Sequence, residues 1–347
     1  MKDFDELTYL GRVRRMRKLA AAALVAYGLG EAHFRLLRQA GNTLYRVSGP
    51  ASLLTGPADD LFQPGQYLLR IHQPDYQEIE GIELELAWLH AMRQEAQLPV
   101  PEPVPALDGR LLIQVSVPGV PGERNCSLLR WVKGRSLAND ARPHHYRAQG
   151  LLMARMHNFA TQWQSPPGLT KRQYDRDGLF SNDSGTGIPA SEAWNLLPER
   201  YLEPCQIVAQ RVRHLMDGLG KGPEVYGLIH ADLGVDANLL FWRGEARPID
   251  FDDSGFGYWV YDLAVALEHC REEAEYDRFR AALLDAYAEI RPLPDEQVEH
   301  LELFTAALDV YISLWAVAAA EVWPLYRETA LSRLEWTGSQ VVKYVSV

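Results

Sequence analysis

Short apolar runs broken by turn residues fill the first third of the chain, and longer runs at helical spacing fill most of the remainder. Arg14 to Tyr27, rich in Ala and Leu and closed by Gly28 and Gly30, predicts a helix. Phe34–Gln39 and Leu44–Val47 read as strands around an Ala40-Gly41-Asn42-Thr43 turn, and Tyr67–His72 as a third strand after a surface insertion over Ser48–Gln66. Asp75 to Glu95 carries Ile82, Leu86 and Leu89 at helical spacing. Val100 to Pro105 is extended, because each Pro disfavours the helical region for its predecessor. An Asp108-Gly109 turn then leads to a strand over Leu111–Val117, and another follows at Asn125–Val132. From Pro143 onward helices dominate. They are expected at His145–Trp163, Ser191–Asp217 (broken at Pro204), Arg278–Ile290, Pro294–Glu321 and a last segment from Trp323. Ser165–Gly187 reads as an irregular segment that borders a substrate pocket or crosses the surface, the second being favoured, and His157 as a structural histidine. The pattern gives an α+β chain: residues 1–133 form a small unit of one helix, a five-stranded antiparallel sheet and a second helix, and residues 134–347 form a larger, mainly helical one.

With 347 residues the chain is long enough for two cores, and 47% apolar and 23% charged residues place it with ordinary globular proteins. No apolar run is read as a membrane span; Leu19–Leu29 is too short. The formal charge of −11 argues against nucleic acid as a partner, since binding phosphates requires a basic surface. Cys126, Cys205 and Cys270 are odd in number and lack metal spacing, which fits reduced thiols and a cytoplasmic location.

The candidate chemistry lies in Tyr226–Leu263, YGLIHADLGVDANLLFWRGEARPIDFDDSGFGYWVYDL. A strand at Tyr226–Ile229 leads to His230-Ala231-Asp232. Asn238 then opens a hairpin, Leu239–Trp242 and Pro248–Ile249, whose return delivers Asp250, Asp252 and Asp253. The hairpin's open ends bring Asn238 and Asp250 together, a hard-oxygen pair of the kind Mg²⁺ prefers when phosphates complete its shell. Asp232, on a loop after a strand, is placed to orient or deprotonate a hydroxyl. Asp252 is a candidate supporting residue, and Asp262 is expected to cap the helix that follows.

This stretch resembles the catalytic segment of the aminoglycoside phosphotransferase, choline kinase and type II homoserine kinase superfamily, nearest its bacterial stress-response Ser/Thr kinase and homoserine-kinase-like branch. The resemblance covers most of the chain and implies a bilobal protein-kinase-like fold with ATP and Mg²⁺ as cosubstrate and metal. It implies transfer of the γ-phosphoryl group to a hydroxyl of a small molecule, or alternatively of a protein Ser/Thr, with a non-catalytic nucleotide-binding regulator as a third reading. It further implies that Asp232 is catalytic, that Asn238 and Asp250 bind metal, and that His230 and Asp262 brace the loop. The turn at Gly41 and Asn42 would lie over the phosphates. Arg70 stands where the superfamily has a phosphate-binding Lys, with Glu85 (or Glu78) as its helix partner, and backbone near Leu129–Trp131 would meet adenine. A second departure is the spacing: Asp232 to Asn238 is six positions where five are usual. Either the loop bulges by one residue, the reading favoured here because Asn238 directly precedes the Leu-Leu-Phe strand, or Asp236 takes part of the asparagine's role.

Overall fold

Antiparallel pairing of the short apolar runs builds a five-stranded sheet in which His33–Ala40, Asn42–Ser48, Phe62–Ile71, Arg124–Val132 and Leu112–Val115 lie side by side in that order. A computed structural model describes residues 4, 6–50, 60–137, 140–181 and 186–346. The first unit comprises Met1–Arg135 with Ser165–Thr170 and Arg247–Ile249. Its elements are α1 (Tyr9–Ala26), β1 (His33–Ala40), β2 (Asn42–Ser48), β3 (Phe62–Ile71), α2 (Ile79–Ala96), β4 (Leu112–Val115) and β5 (Arg124–Val132). Thr8 caps α1 by accepting from Gly11 N–H, so the helix begins five residues before its expected start. The strand expected from Tyr67 begins at Phe62, because a bulge lets pairing with β5 continue past Tyr67. The heart of the expected insertion, 51–59, lies outside the described residues. Val100–Pro105 contributes only an isolated bridge, Pro103 to Leu129.

Strand alternation sorts the sheet's two faces. Tyr45, Val47, Leu69, Ile71 and Leu128 are buried with Leu19, Ala20, Ala23 and Leu24 of α1 in one apolar cluster. Arg70 lies between Leu69 and Ile71 in β3 and so points to the other face.

The second unit comprises Ser136–Gln164, Lys171–Ala246 and Asp250–Val347. It holds α3 (Pro143–Gln162), β6 (Gln173–Tyr174), α4 (Ala190–Leu196), α5 (Glu199–Leu219), β7 (Tyr226–Ile229), β8 (Leu239–Trp242), β9 (Glu245–Pro248), β10 (Gly255–Tyr258), α6 (Trp259–Leu267), α7 (Tyr276–Ala288), α8 (Asp295–Glu299), α9 (Leu301–Val322) and α10 (Arg327–Val345). The helix break expected at Pro204 falls instead at Leu197-Pro198; Leu197 is extended ahead of the proline, and Pro204 sits inside α5. The span Asp295–Val322 is long enough to cross a membrane and holds an 18-residue apolar window of mean hydropathy 1.7, contrary to the reading of the sequence. Of that apolar window 78% is buried within the protein, as befits a core helix that is apolar on all sides.

β10 pairs antiparallel with β7 and parallel with β6. The register matters for function. Gly255 lies opposite Ile229, so the residues after β7 and those before β10 emerge at the same end of this small sheet.

Candidate active site

That shared end gathers the acidic residues. His230-Ala231-Asp232 leaves β7, and Asp250–Ser254, coiled as a 3₁₀ turn, enters β10. Gly255 permits the close approach: a Cβ there would lie 2.4 Å from the carbonyl oxygen of Arg172.

Three non-glycine residues at the site adopt left-handed backbone, Ala231 at φ 63°, Asn238 at φ 60° and Asp250 at φ 63°. Such conformations are disfavoured and persist where surrounding bonds impose them. Asp262 imposes the first: its Oδ1 accepts from Ala231 N–H at 2.7 Å and its Oδ2 from His230 N–H at 3.4 Å. Asp262 is wholly buried in the first turn of α6, whose N-terminal flanking residue is Tyr258. It therefore does not cap the helix as expected; its carboxylate ties down the loop instead. His157 of α3 reaches the same Oδ2 through Nε2 at 3.0 Å, while its Nδ1 meets Tyr287 Oη at 2.8 Å and its ring stacks on Trp259. Burial holds the imidazole's pKa below its ordinary value, although Asp262 opposes that shift. His230 is also fully buried, its ring against Phe251.

The six-residue spacing is absorbed locally. Gly234 and Ala237 exchange backbone hydrogen bonds of 3.0 and 3.1 Å, closing a tight turn. Val235 is buried at its tip and Asp236 exposed. Asn238 thereby returns to Asp232, its Nδ2 donating to Asp232 Oδ2 at 2.5 Å and to the Asp232 carbonyl at 3.0 Å. Gln149 of α3, unremarked in the sequence, supports the same loop by donating to the Leu233 carbonyl at 2.7 Å.

Asp232 keeps only part of its surface in solvent. Loss of hydration lifts its carboxyl pKa well above the usual range, Asp253 and Asp250 push it the same way, and the bond from Asn238 opposes them. Asp253 was visible in the sequence only as the last residue of I-D-F-D-D, yet it leads these charge effects on Asp232. It is held by Arg172 Nη1 on its carboxylate at 2.7 Å and by Tyr174 Oη on its carbonyl at 2.6 Å. Lys171 Nζ donates to the carbonyls of Phe251 at 3.4 Å and Asp252 at 3.2 Å. These basic residues lie some 80 positions upstream in a segment without periodicity, which gave no signal.

The metal expectation can be tested on the donor set. Among the described residues, no group of three or more His, Cys, Asp or Glu could hold an ion. Asn238, with its amide nitrogen on Asp232, has its oxygen at the opposite end, and Asp250 supplies a carboxylate. Such a pair suits a hard divalent cation whose remaining ligands are phosphate oxygens and water. The mutual repulsion among Asp232, Asp250 and Asp253 is what a bound cation would relieve.

In the sheet unit, Arg70 Nη1 donates to Glu85 Oε1 at 2.8 Å, with the two residues 2% and 1% exposed. Glu78 instead flanks α2 at its N-terminus and is exposed. The turn between β1 and β2 is tighter than expected. Gly41 alone makes it, at φ 67°, and Asn42 already belongs to β2. Asn42 Oδ1 accepts from Gln73 N–H at 2.9 Å, which engages that oxygen within the fold. The backbone expected to meet adenine is also engaged in part: Leu128 C=O accepts from Val104 N–H at 2.8 Å, and Arg130 N–H donates to Glu102 C=O at 2.9 Å. The edge at Leu128–Arg130 is thus covered by 102–104. Arg247 anchors the 247–249 segment by donating to the carbonyls of Asp60, Leu61 and Lys133 at 3.1–3.3 Å.

A carboxylate held against an asparagine on a braced loop, followed by a hairpin and a second acidic turn, is a phosphoryl-transfer layout. The sequence profile of the phosphotransferase enzyme family matches residues 58–297, and the chain belongs to that family: it is a phosphotransferase with a kinase-like fold. A homoserine kinase from Cupriavidus taiwanensis (strain DSM 17343 / BCRC 17206 / CCUG 44338 / CIP 107171 / LMG 19424 / R1) is 29% identical over 272 residues, 73% of this chain and 73% of that one. Among solved structures, a microcompartment-associated aminopropanol kinase superposes with a TM-score of 0.75 at 24% identity, covering 95% of this chain and 98% of that one. The amicoumacin kinase hAmiN, in complex with AMP-PNP, Ca²⁺ and Ami, gives a TM-score of 0.72 at 19% identity over 94% and 92% of the two chains.

Proposed function

We propose that this phosphotransferase moves the γ-phosphoryl group of ATP to a hydroxyl of a small molecule. The observation that carries the reading is Asp232: a carboxylate with a raised pKa, bonded to Asn238 and facing the acidic turn at Asp250–Asp253. In the reaction the acceptor oxygen forms a bond to the γ-phosphorus, the bond from that phosphorus to the β–γ bridging oxygen breaks, and the acceptor's proton passes to Asp232. A carboxylate made more basic by its surroundings is better matched to that proton. Asp250 and Asn238 Oδ1 would hold Mg²⁺, which when bound neutralises phosphate charge. Asp253 and Asp252 shape the turn beside it, and Arg70, held by Glu85, would contact the α- and β-phosphates.

The relatives favour a small acceptor: by name they act on homoserine, aminopropanol and amicoumacin, and nothing in them favours a protein side chain. Three buried thiols fit the reducing cytoplasm as the site of action. The test is incubation with γ-labelled ATP and Mg²⁺ across amino alcohols, hydroxy amino acids, aminoglycosides and Ser/Thr proteins. Label in a small molecule supports the reading. Label in proteins alone, or in nothing while nucleotide binds, overturns it.

A further inference from the structure

A second charged cluster lies beside the catalytic loop, and much of it comes from beyond the family match, which ends at residue 297. Glu268 and Asp309, 3% and 2% exposed, are its buried members. Asp309 of α9 grips Arg271 with both oxygens, at 2.5 and 2.8 Å. Glu268 accepts from Arg333 of α10 and lies 3.0 Å from His269 Nδ1. Both guanidiniums sit over the Trp336 ring, 4.8 Å away for Arg271 and 4.9 Å for Arg333. The cluster adjoins the loop through His269, whose Cδ2 would lie 3.3 Å from a Cβ on Gly234.

The layering of charge is what suggests a ligand. The carboxylates are at the bottom. The groups that keep solvent access are cationic or aromatic: the Arg333 side chain is 30% exposed, that of Arg271 14% and that of His269 41%, and Trp336 is half-buried. Two buried carboxylates are a costly way to join helices, since apolar residues of like volume do so at least as well. They are an effective way to hold guanidiniums rigid. Arg333, pinned by Glu268 on one edge and by the indole on its face, presents its remaining edge for a planar, two-pronged anion, while Arg271, whose Nε also donates to the Glu268 carbonyl at 3.4 Å, adds fixed positive charge beside it. The surroundings of Asp232, by contrast, are acidic and would repel an anion, so an anionic group on the acceptor needs a separate cationic seat.

We infer that the Arg333–Arg271–Trp336 cluster is an acceptor subsite for a carboxylate, so that the preferred acceptor is a hydroxy acid, such as a hydroxy amino acid, and not a simple amino alcohol. The inference rests on the phosphotransfer reading and narrows it. Two matched pairs differ only by a carboxylate: L-homoserine with 3-amino-1-propanol, and L-threonine with 1-amino-2-propanol. The experiment measures kcat/KM for all four with the full chain, ATP and Mg²⁺, alongside a wider hydroxyl panel. The expected result is a preference of roughly 10- to 100-fold for the carboxylate member of the accepted pair. In Arg333→Gln that preference falls about tenfold or more through KM of the carboxylate member, and in Arg333→Lys, which keeps the charge without the fork, it falls partway. Thermal melts of both variants report folding. If Arg333→Gln does not fold, the wild-type preference and the Lys variant decide. Preference for the amino alcohol, equal effects on both members, or turnover of none of the four while another hydroxyl compound is phosphorylated would overturn the inference and leave phosphotransfer standing. Absence of turnover across the whole panel removes the phosphotransfer reading itself, and the subsite with it.

Discussion

Arg70 and Glu85 show what one buried pair can and cannot tell. Removing Glu85 takes a carboxylate partner from a guanidinium in a nearly dry site. Glu85→Ala should therefore cost about 3–5 kcal/mol of stability, measurable by denaturant unfolding. Replacing both partners by apolar residues, Arg70→Met with Glu85→Leu, should restore most of that loss while nucleotide affinity stays low. If the double variant binds ATP as tightly as the parent, the pair serves the fold alone. The partnership was legible through the family resemblance, which set Arg70 in the third strand and Glu85, with Glu78 as the alternative, on the helix that follows. Asp253, Lys171, Arg172 and Gln149 were not legible in these roles. Their partners are fixed by tertiary packing over long sequence separations, and neither spacing nor periodicity encodes that. Asp262 was read in two ways: its position near a helix start suggested a cap, which the structure overturns, whereas the resemblance set it against the loop, where its carboxylate accepts from Ala231 N–H.

At the scale of elements, the site depends on the antiparallel register of β7 and β10 and on α3 behind them. Gly255→Ala drives a methyl group into the Arg172 carbonyl, which cannot yield without moving β6. A loss of about 1–3 kcal/mol is expected, with turnover reduced further than the stability change explains. Unchanged melting and activity would show that the strands tolerate more separation than the packing implies. His157 sets a pH limit. Its folded pKa is depressed below 6.5, so the unfolded chain binds the proton more readily. The stability that comes from burying it neutral is present above pH 6.5 and is lost as pH falls through that value toward the folded pKa. His157→Gln should flatten the fall in Tm between pH 7.5 and 5.5, and an equally steep fall would exclude His157 as its source. Strand and helix types followed from apolar spacing, with misses where a cap, a bulge or an extended pre-proline residue moved a boundary, as at Thr8, Phe62 and Leu197.

At the scale of the whole molecule, the chain commits an α-helical core, with α9 buried on nearly all sides, to holding one small acidic loop cluster in strained backbone. That cluster was the most legible part of the sequence, because Asp232, Asn238 and Asp250 lie within twenty residues and hairpin geometry joins them. The account stands or falls on Asp232. The direct measurement is a single-turnover comparison of the wild-type protein and Asp232→Asn with Mg²⁺, γ-labelled ATP and an accepted hydroxyl compound, with nucleotide affinity titrated in parallel. The account predicts unchanged nucleotide affinity and a transfer rate lowered on the order of 10²- to 10⁴-fold in the variant. Transfer at the parent rate by Asp232→Asn would contradict it.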